Sequence, residues 1–217
     1  MTTTTSHMRT TWILLSPVII IAIGFIVATV FSSIIAEWAW LPLALVYWSL
    51  LGGCIYLFKG KKRVKAWIGK SRPSKGIVSL GWIVGLFPFT VLLMNLHLLT
   101  DPWIIALWLL FAMVNPFIEE LYWRGLVLDA AMTRFPKWIS IAYSTMFFVL
   151  SHPLMWGVFS IANQHIHVLL YLPILGVVWS LIYIKTGSLR FAIASHALVN
   201  IGIMTVPVFL NLYIPPV

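Results

Sequence analysis

Apolar runs of bilayer-spanning length follow one another along nearly the whole chain, and no other feature restricts its fold as strongly. A helix rising about 1.5 Å per residue needs about 20 mainly apolar residues to cross a hydrocarbon core roughly 30 Å thick. Runs of that kind extend from Trp12 to Ala36, Trp38 to Phe58, Ile77 to Leu99 and Trp103 to near Leu128. Three more are expected at Trp138 to Met155, His167 to Ile184 and Phe191 to Leu210, the fifth being short and broken by Pro153. With 61% hydrophobic and 9% charged residues, the chain cannot hide its apolar surface in a soluble core. The even spread also excludes a soluble catalytic domain on a single anchor. The expectation is an all-α, polytopic transmembrane helix bundle of about seven spans. It forms one membrane-embedded domain over 12–217, behind a disordered, Thr-rich tail at 1–11. The first run is too long for a signal-peptide core of about 7–15 residues and is expected to stay as an anchor.

The formal charge of +9 invites a nucleic-acid reading until the positions are considered. Eight of the fourteen basic residues, Lys59, Lys61, Lys62, Arg63, Lys65, Lys70, Arg72 and Lys75, fall in the loop 59–76 after the second span. Basic loops face the cytoplasm, so that loop and the N-terminus are assigned inside. Counting outward, Arg9, Arg134, Lys137, Lys185 and Arg190 reach the same side, and Glu37 and Asp101 the other. The lipid bilayer and its anionic headgroups account for the charge, and no nucleic acid is needed. Gly81 with Gly85, and Gly176 with Ser180, are placed for close helix approach. Cys54 is the single cysteine, so metal chemistry would have to use His and carboxylates.

The remaining basic residue, Arg124, sits inside the fourth run with two acids, in Phe117-Ile-Glu-Glu-Leu-Tyr-Trp-Arg-Gly125. Ionisable groups at that depth are costly unless paired and mark function by default. Glu120 and Arg124 stand at i and i+4 with the acid first, the favourable order for a salt bridge along one helix face. Glu119 points about 100° away and is left to face a cavity. A buried carboxylate without a cationic partner suits a general base. His152 ends the fifth run with Phe148 one turn before it, and His196 and Asn200 share a face of the seventh. By helix rise Glu119 lies roughly 15 Å from an inner edge near Asp129, His196 and Asn200 about 9 and 15 Å from Arg190, and His152 about 22 Å from Lys137. These depths converge near or just inside the midplane. Two His and one Glu (Glu119, His152, His196) match a catalytic Zn2+ triad. They equally match a metal-free site in which Glu and His activate water while His and Asn stabilise an oxyanion. His97, Asp101, His165 and His167 read as interfacial, and Asp129 as capping the inner end of the fourth run near Arg134 and Lys137.

Three motifs in order, Glu-Glu-x-x-x-Arg at Glu119, Glu120 and Arg124, Phe-x-x-x-His at Phe148 and His152, and His-x-x-x-Asn at His196 and Asn200, resemble the CAAX protease and bacteriocin-processing family of intramembrane proteases. That family is also called the type II CAAX prenyl endopeptidase or ABI family. Thr186-Gly-Ser-Leu189 before the last motif strengthens the likeness, which covers about 103–204. The resemblance implies intramembrane proteolysis, with Glu119 and His152 activating the attacking water and His196 with Asn200 polarising the scissile carbonyl. It gives Glu120 and Arg124 a structural role, with Phe148 beside them, and leaves a metal open. Tyr122-Trp123 stands where a Phe before the Arg is frequent, and an eighth span found in some members is not expected.

The implied function is an intramembrane endopeptidase acting on a peptide or membrane-protein substrate in a bacterial plasma membrane, bacteriocin-like peptides being one candidate. A non-catalytic immunity or regulatory protein that binds a peptide or membrane partner in the same cavity is the alternative. A pure binder has no need of Glu119, His152, His196 and Asn200 together. A proton-coupled transporter fits less well, because no internal repeat or paired broken helices are visible.

Overall fold

The computed structural model describes residues 2–72 and 74–215. Every regular element among them is helical: α1 Thr2–Ile35, α2 Trp40–Phe58, α3 Gly60–Trp67, α4 Lys75–Leu86, α5 Phe89–Met94, α6 Pro102–Glu120, a π-helical segment Leu121–Leu128, α7 Asp129–Met132, α8 Lys137–Leu154, α9 Ile166–Thr186, α10 Arg190–Gly202 and α11 Thr205–Phe209. Short 3-10 turns join several of them. Among the described residues five helical stretches are long and apolar enough to cross a membrane. The first, His7–Phe58 with its 52 residues, is twice the length one crossing needs. It folds back at Ala36, whose φ of 50° is a left-handed conformation that turns the chain, and α1 packs along α2. This is an integral, multi-pass membrane protein.

Two expectations are corrected. Residues 2–11 are not a separate disordered tail but continue α1, and the Arg134 guanidinium donates to the His7 carbonyl and Thr11 Oγ1. Met1 lies outside the described residues. The seventh run is not one spanning helix. α10 ends after 13 residues, about 20 Å of rise, and Met204 at φ 52° separates it from α11.

Local chemistry sets the other boundaries. Asp101 Oδ1 accepts from the Trp103 and Ile104 amides at 2.7 and 3.4 Å and Pro102 occupies the first helical position, which starts α6. Gly187, at φ 68°, closes α9 by donating its amide to the Tyr183 carbonyl, a conformation that favours glycine. α10 lies inside the bundle against α4, α6 and α9. Small residues permit this. A side chain at Gly85 would meet Ser195 backbone at 3.0 Å, and one at Gly202 would meet Pro88 backbone at 2.8 Å. Ser195 Oγ donates to the Gly81 carbonyl and accepts from Trp179 Nε1, tying α4, α9 and α10 together behind the site.

Arg63, Arg72 and Arg190 tie the loop after α2 to the inner ends of the π segment, α9 and α10. Asp129 does not cap toward Arg134 and Lys137. Its carboxylate accepts from Arg63 at 2.6 Å, Trp67 Nε1 at 3.1 Å and the Tyr183 hydroxyl at 2.8 Å. The hydrogen bond to Asp129 holds the Arg63 guanidinium above its ordinary pKa. Arg190 Nε donates to the Ile68 carbonyl, so the loop after α2 is folded under the bundle rather than left in solvent.

Candidate active site

Glu119 and Glu120 end α6 just before the π-helical segment, in which every residue is buried. A π segment of this kind is uncommon and concentrates at functional sites. The two neighbouring acids separate as their helical angle requires. Glu120 Oε1 accepts from Arg124 Nη1 at 2.9 Å and from His196 Nδ1 at 3.0 Å. The Arg124 guanidinium lies 4.4 Å from the Phe148 ring centre and 5.2 Å from that of Trp179, so aromatic faces replace water around the buried cation. Glu120 is therefore more than a counter-ion, because it also orients the imidazole of His196.

Glu119 turns the other way. Its Oε1 accepts from the Tyr47 hydroxyl at 2.7 Å and its Oε2 from Asn115 Nδ2 at 3.0 Å. Both donors are themselves held, since Trp123 Nε1 donates to the Tyr47 oxygen and Trp48 Nε1 to Asn115 Oδ1. His196 Nε2 stands 3.5 Å from Glu119 Oε2. An ionised Glu120 only accepts, so the Nδ1 proton of His196 points to it and Nε2 is the nitrogen facing Glu119. Trp179 stacks on that imidazole with 4.2 Å between ring centres.

His152 is fixed by its own helix. Its Nδ1 lies 2.9 Å from the Phe148 carbonyl, an atom that can only accept, so Nδ1 carries the proton and Nε2 keeps its lone pair. Phe148 contacts both imidazoles edge to face, 4.9 Å from His152 and 6.2 Å from His196. Asn200 is positioned by the break in α10. The Met204 amide bonds to Ile201, which leaves the Asn200 carbonyl outside the helical ladder, and Trp108 Nε1 and Thr205 Oγ1 donate to it instead. The Asn200 side-chain Nδ2 is a buried donor without a partner.

Glu119, His152, His196 and Asn200 line one cavity of about 570 Å³, together with Asn115, Phe148 and Trp179. Glu120 and Arg124 stay behind its wall. His167, expected to be interfacial, also reaches this cavity. Sequence reasoning missed Tyr47, Asn115, Trp108, Trp179 and Thr205. Of these, Asn115 carried a readable signal, one turn before Glu119 on the same face.

Zinc held by such side chains needs three donors about 2 Å from one point. Both Glu119 oxygens are engaged by Tyr47 and Asn115, and His196 Nε2 is 3.5 Å away. Among the described residues no three His, Cys, Asp or Glu side chains are grouped to hold an ion. As arranged, Glu119, His152 and His196 do not fit a zinc ligand set.

The helical membrane bundle thus brings a carboxylate, two imidazoles and a carboxamide with an unpartnered Nδ2 to one largely apolar cavity. Residues 101–202 match the family model described as Type II CAAX prenyl endopeptidase Rce1-like. Comparison with curated proteins and with solved structures gives no match.

Proposed function

We propose that this protein hydrolyses a peptide bond in a membrane-associated peptide or protein, using water activated by Glu119 and His152. The observation that carries the reading is the arrangement of Glu119, His152, His196 and Asn200, drawn from three helices, on the wall of one cavity.

Glu119 is the general base. It takes a proton from water as the water oxygen attacks the scissile carbonyl carbon, and Tyr47 and Asn115 hold its two oxygens in place for that step. His152 Nε2, left as an acceptor because Nδ1 donates to Phe148, takes the second hydrogen bond of the same water. Negative charge then develops on the carbonyl oxygen. Asn200 Nδ2 is a preorganised donor for it, and the low-dielectric surroundings strengthen such a bond. His196 Nε2, 3.5 Å from Glu119 Oε2, passes the proton on to the departing amine, while Glu120 holds the ring in register. The products are a free amine and a carboxylate.

The test is mass-spectrometric detection of cleaved peptide by purified protein in vesicles, comparing wild type with Glu119→Gln, each with and without chelator and added zinc. Cleavage by wild type, lost in Glu119→Gln and indifferent to chelator, is the expected result. Loss on chelation with recovery on zinc would replace this mechanism by a metal-dependent one. An unaltered cellular phenotype in Glu119→Gln would instead favour a peptide-binding role.

A further inference from the structure

Two imidazoles outside the reacting centre have no partner of their own. His165 immediately precedes α9 and His167 stands in its first turn. Their ring centres are 5.0 Å apart, with the planes tilted by 40° rather than stacked. Neither ring is hydrogen-bonded to another described residue, and His165 Nδ1 is buried without a partner. A buried ring nitrogen in that state costs free energy until a water or a ligand meets it.

The backbone fixes the pair. The His165 amide donates to the Ala162 carbonyl and its own carbonyl accepts from Leu169, while Gln164 Nε2 donates to the Gly157 carbonyl. The rings therefore project from an ordered turn between two hollows. His165 lines a cleft of about 290 Å³ with Gln164 and Gly157, and His167 lines the cavity that holds Glu119. By helix rise His167 is about 18 Å along α9 from Trp179, the residue that stacks on His196. That distance keeps the pair away from the attacking water.

Spacing decides what the pair can hold. A tetrahedral zinc ion keeps each imidazole nitrogen about 2.0–2.1 Å away, which sets the ring centres of two ligands about 5 Å apart. The observed separation matches. Two neutral imidazoles with no proton acceptor nearby gain little from each other, whereas one cation accepts a lone pair from both. Imidazole suits Zn2+ and Cu2+, and not Mg2+ or Ca2+. No third His, Cys, Asp or Glu joins the pair among the described residues, so water or an outside carboxylate would fill the remaining positions. Among the described residues lining the cavity there is no Lys or Arg, and an ion on His167 would bring to its rim a charge that those residues do not supply.

We propose that His165 and His167 form a binding site for one divalent ion of the zinc or copper class at the rim of the cavity, separate from Glu119, His152 and His196. An ion so far from Glu119 takes no part in activating water, and the site stands whether or not the protein hydrolyses peptides.

Zinc binding is measured by calorimetric titration of the purified, untagged protein in detergent. Wild type is compared with His165→Gln, His167→Gln, Glu119→Gln and His196→Gln, each checked for folding by its gel-filtration profile. One ion per chain is expected in wild type, Glu119→Gln and His196→Gln. Affinity is expected to fall about tenfold or more in His165→Gln and in His167→Gln, since losing even a ligand's supporting partner costs that much. No saturable binding by wild type, or binding retained in both His165→Gln and His167→Gln, overturns the site. Binding lost in Glu119→Gln or His196→Gln would place the ion in the reacting centre and overturns it equally. Wild type alone gives a second reading that no misfolded variant can obscure. Zinc is expected to shield His165 and His167 from diethyl pyrocarbonate, as read by mass spectrometry, while the exposed His7 and His97 react as before. Reactivity of His165 and His167 that zinc leaves unchanged contradicts the proposal.

Discussion

The C-terminal half of α1 and the stretch from α6 through the π-helical segment are both apolar, yet they differ in where their polar groups go. In that half of α1, Thr29, Ser32 and Ser33 donate to the carbonyls of Phe25, Thr29 and Val30, all within their own helix, and Phe25, Ile26, Val30 and Ile34 face outward, whereas Ser16 nearer the N-terminus bonds Tyr122 of the π segment. Around the π segment, Asn115, Glu119, Glu120 and Arg124 are buried and engage one another and side chains of α2 and α10. In a bilayer, apolar surface costs nothing on either side of a helix, so hydrophobicity does not tell a lipid-facing span from a site-bearing one. Polar bonds between helices do.

Substitutions can break this contrast in graded steps. Glu119→Gln keeps the shape of the side chain and removes the base. It is expected to cut turnover by about 10³-fold, with wild-type yield and melting temperature, as read by peptide cleavage and thermal denaturation in detergent. Arg124→Met strands Glu120 beside His196. Breaking a buried pair costs about 3–5 kcal/mol, so this variant is expected to lose folded yield as well as activity. Normal melting with lost turnover would instead make Arg124 part of the chemistry. Tyr47→Phe leaves Glu119 Oε1 and Trp123 Nε1 without their shared hydroxyl. A fall in kcat of about tenfold with KM little changed is the expected signature of a group that aims the base. Ser33→Ala on α1 is expected to change stability by no more than about 0.5 kcal/mol and activity not at all. A large effect there would show that the C-terminal half of α1 does more than meet lipid.

The same contrast explains what could be read from the chain. The pairing of Glu120 with Arg124 and the freedom of Glu119 follow from helix angle alone, and both acids point as that angle requires. The pairing of Glu120 with His196 does not, because it joins positions 76 apart in sequence. Tyr47, Trp108 and Trp179 were invisible for a related reason: a hydroxyl or indole in a span is ordinary until a neighbouring helix supplies its partner. The break after Gly202 escaped notice because Ile203, Met204 and Val206 are as apolar as the helix before them. Hydropathy registers the run and not the left-handed residue within it. Sequence proximity places Asp129 beside Arg134 and Lys137, while the loop after α2 folds back to reach it.

The central claim is that Glu119 drives hydrolysis of a peptide bond inside the bundle. Its most direct test is reconstitution of wild type and Glu119→Gln with the same membrane-embedded peptide in water enriched in oxygen-18, followed by mass spectrometry of the products. The account predicts two fragments from wild type, with one heavy oxygen in the new carboxylate, and intact peptide from Glu119→Gln. Labelled fragments in equal amounts from both proteins would contradict it.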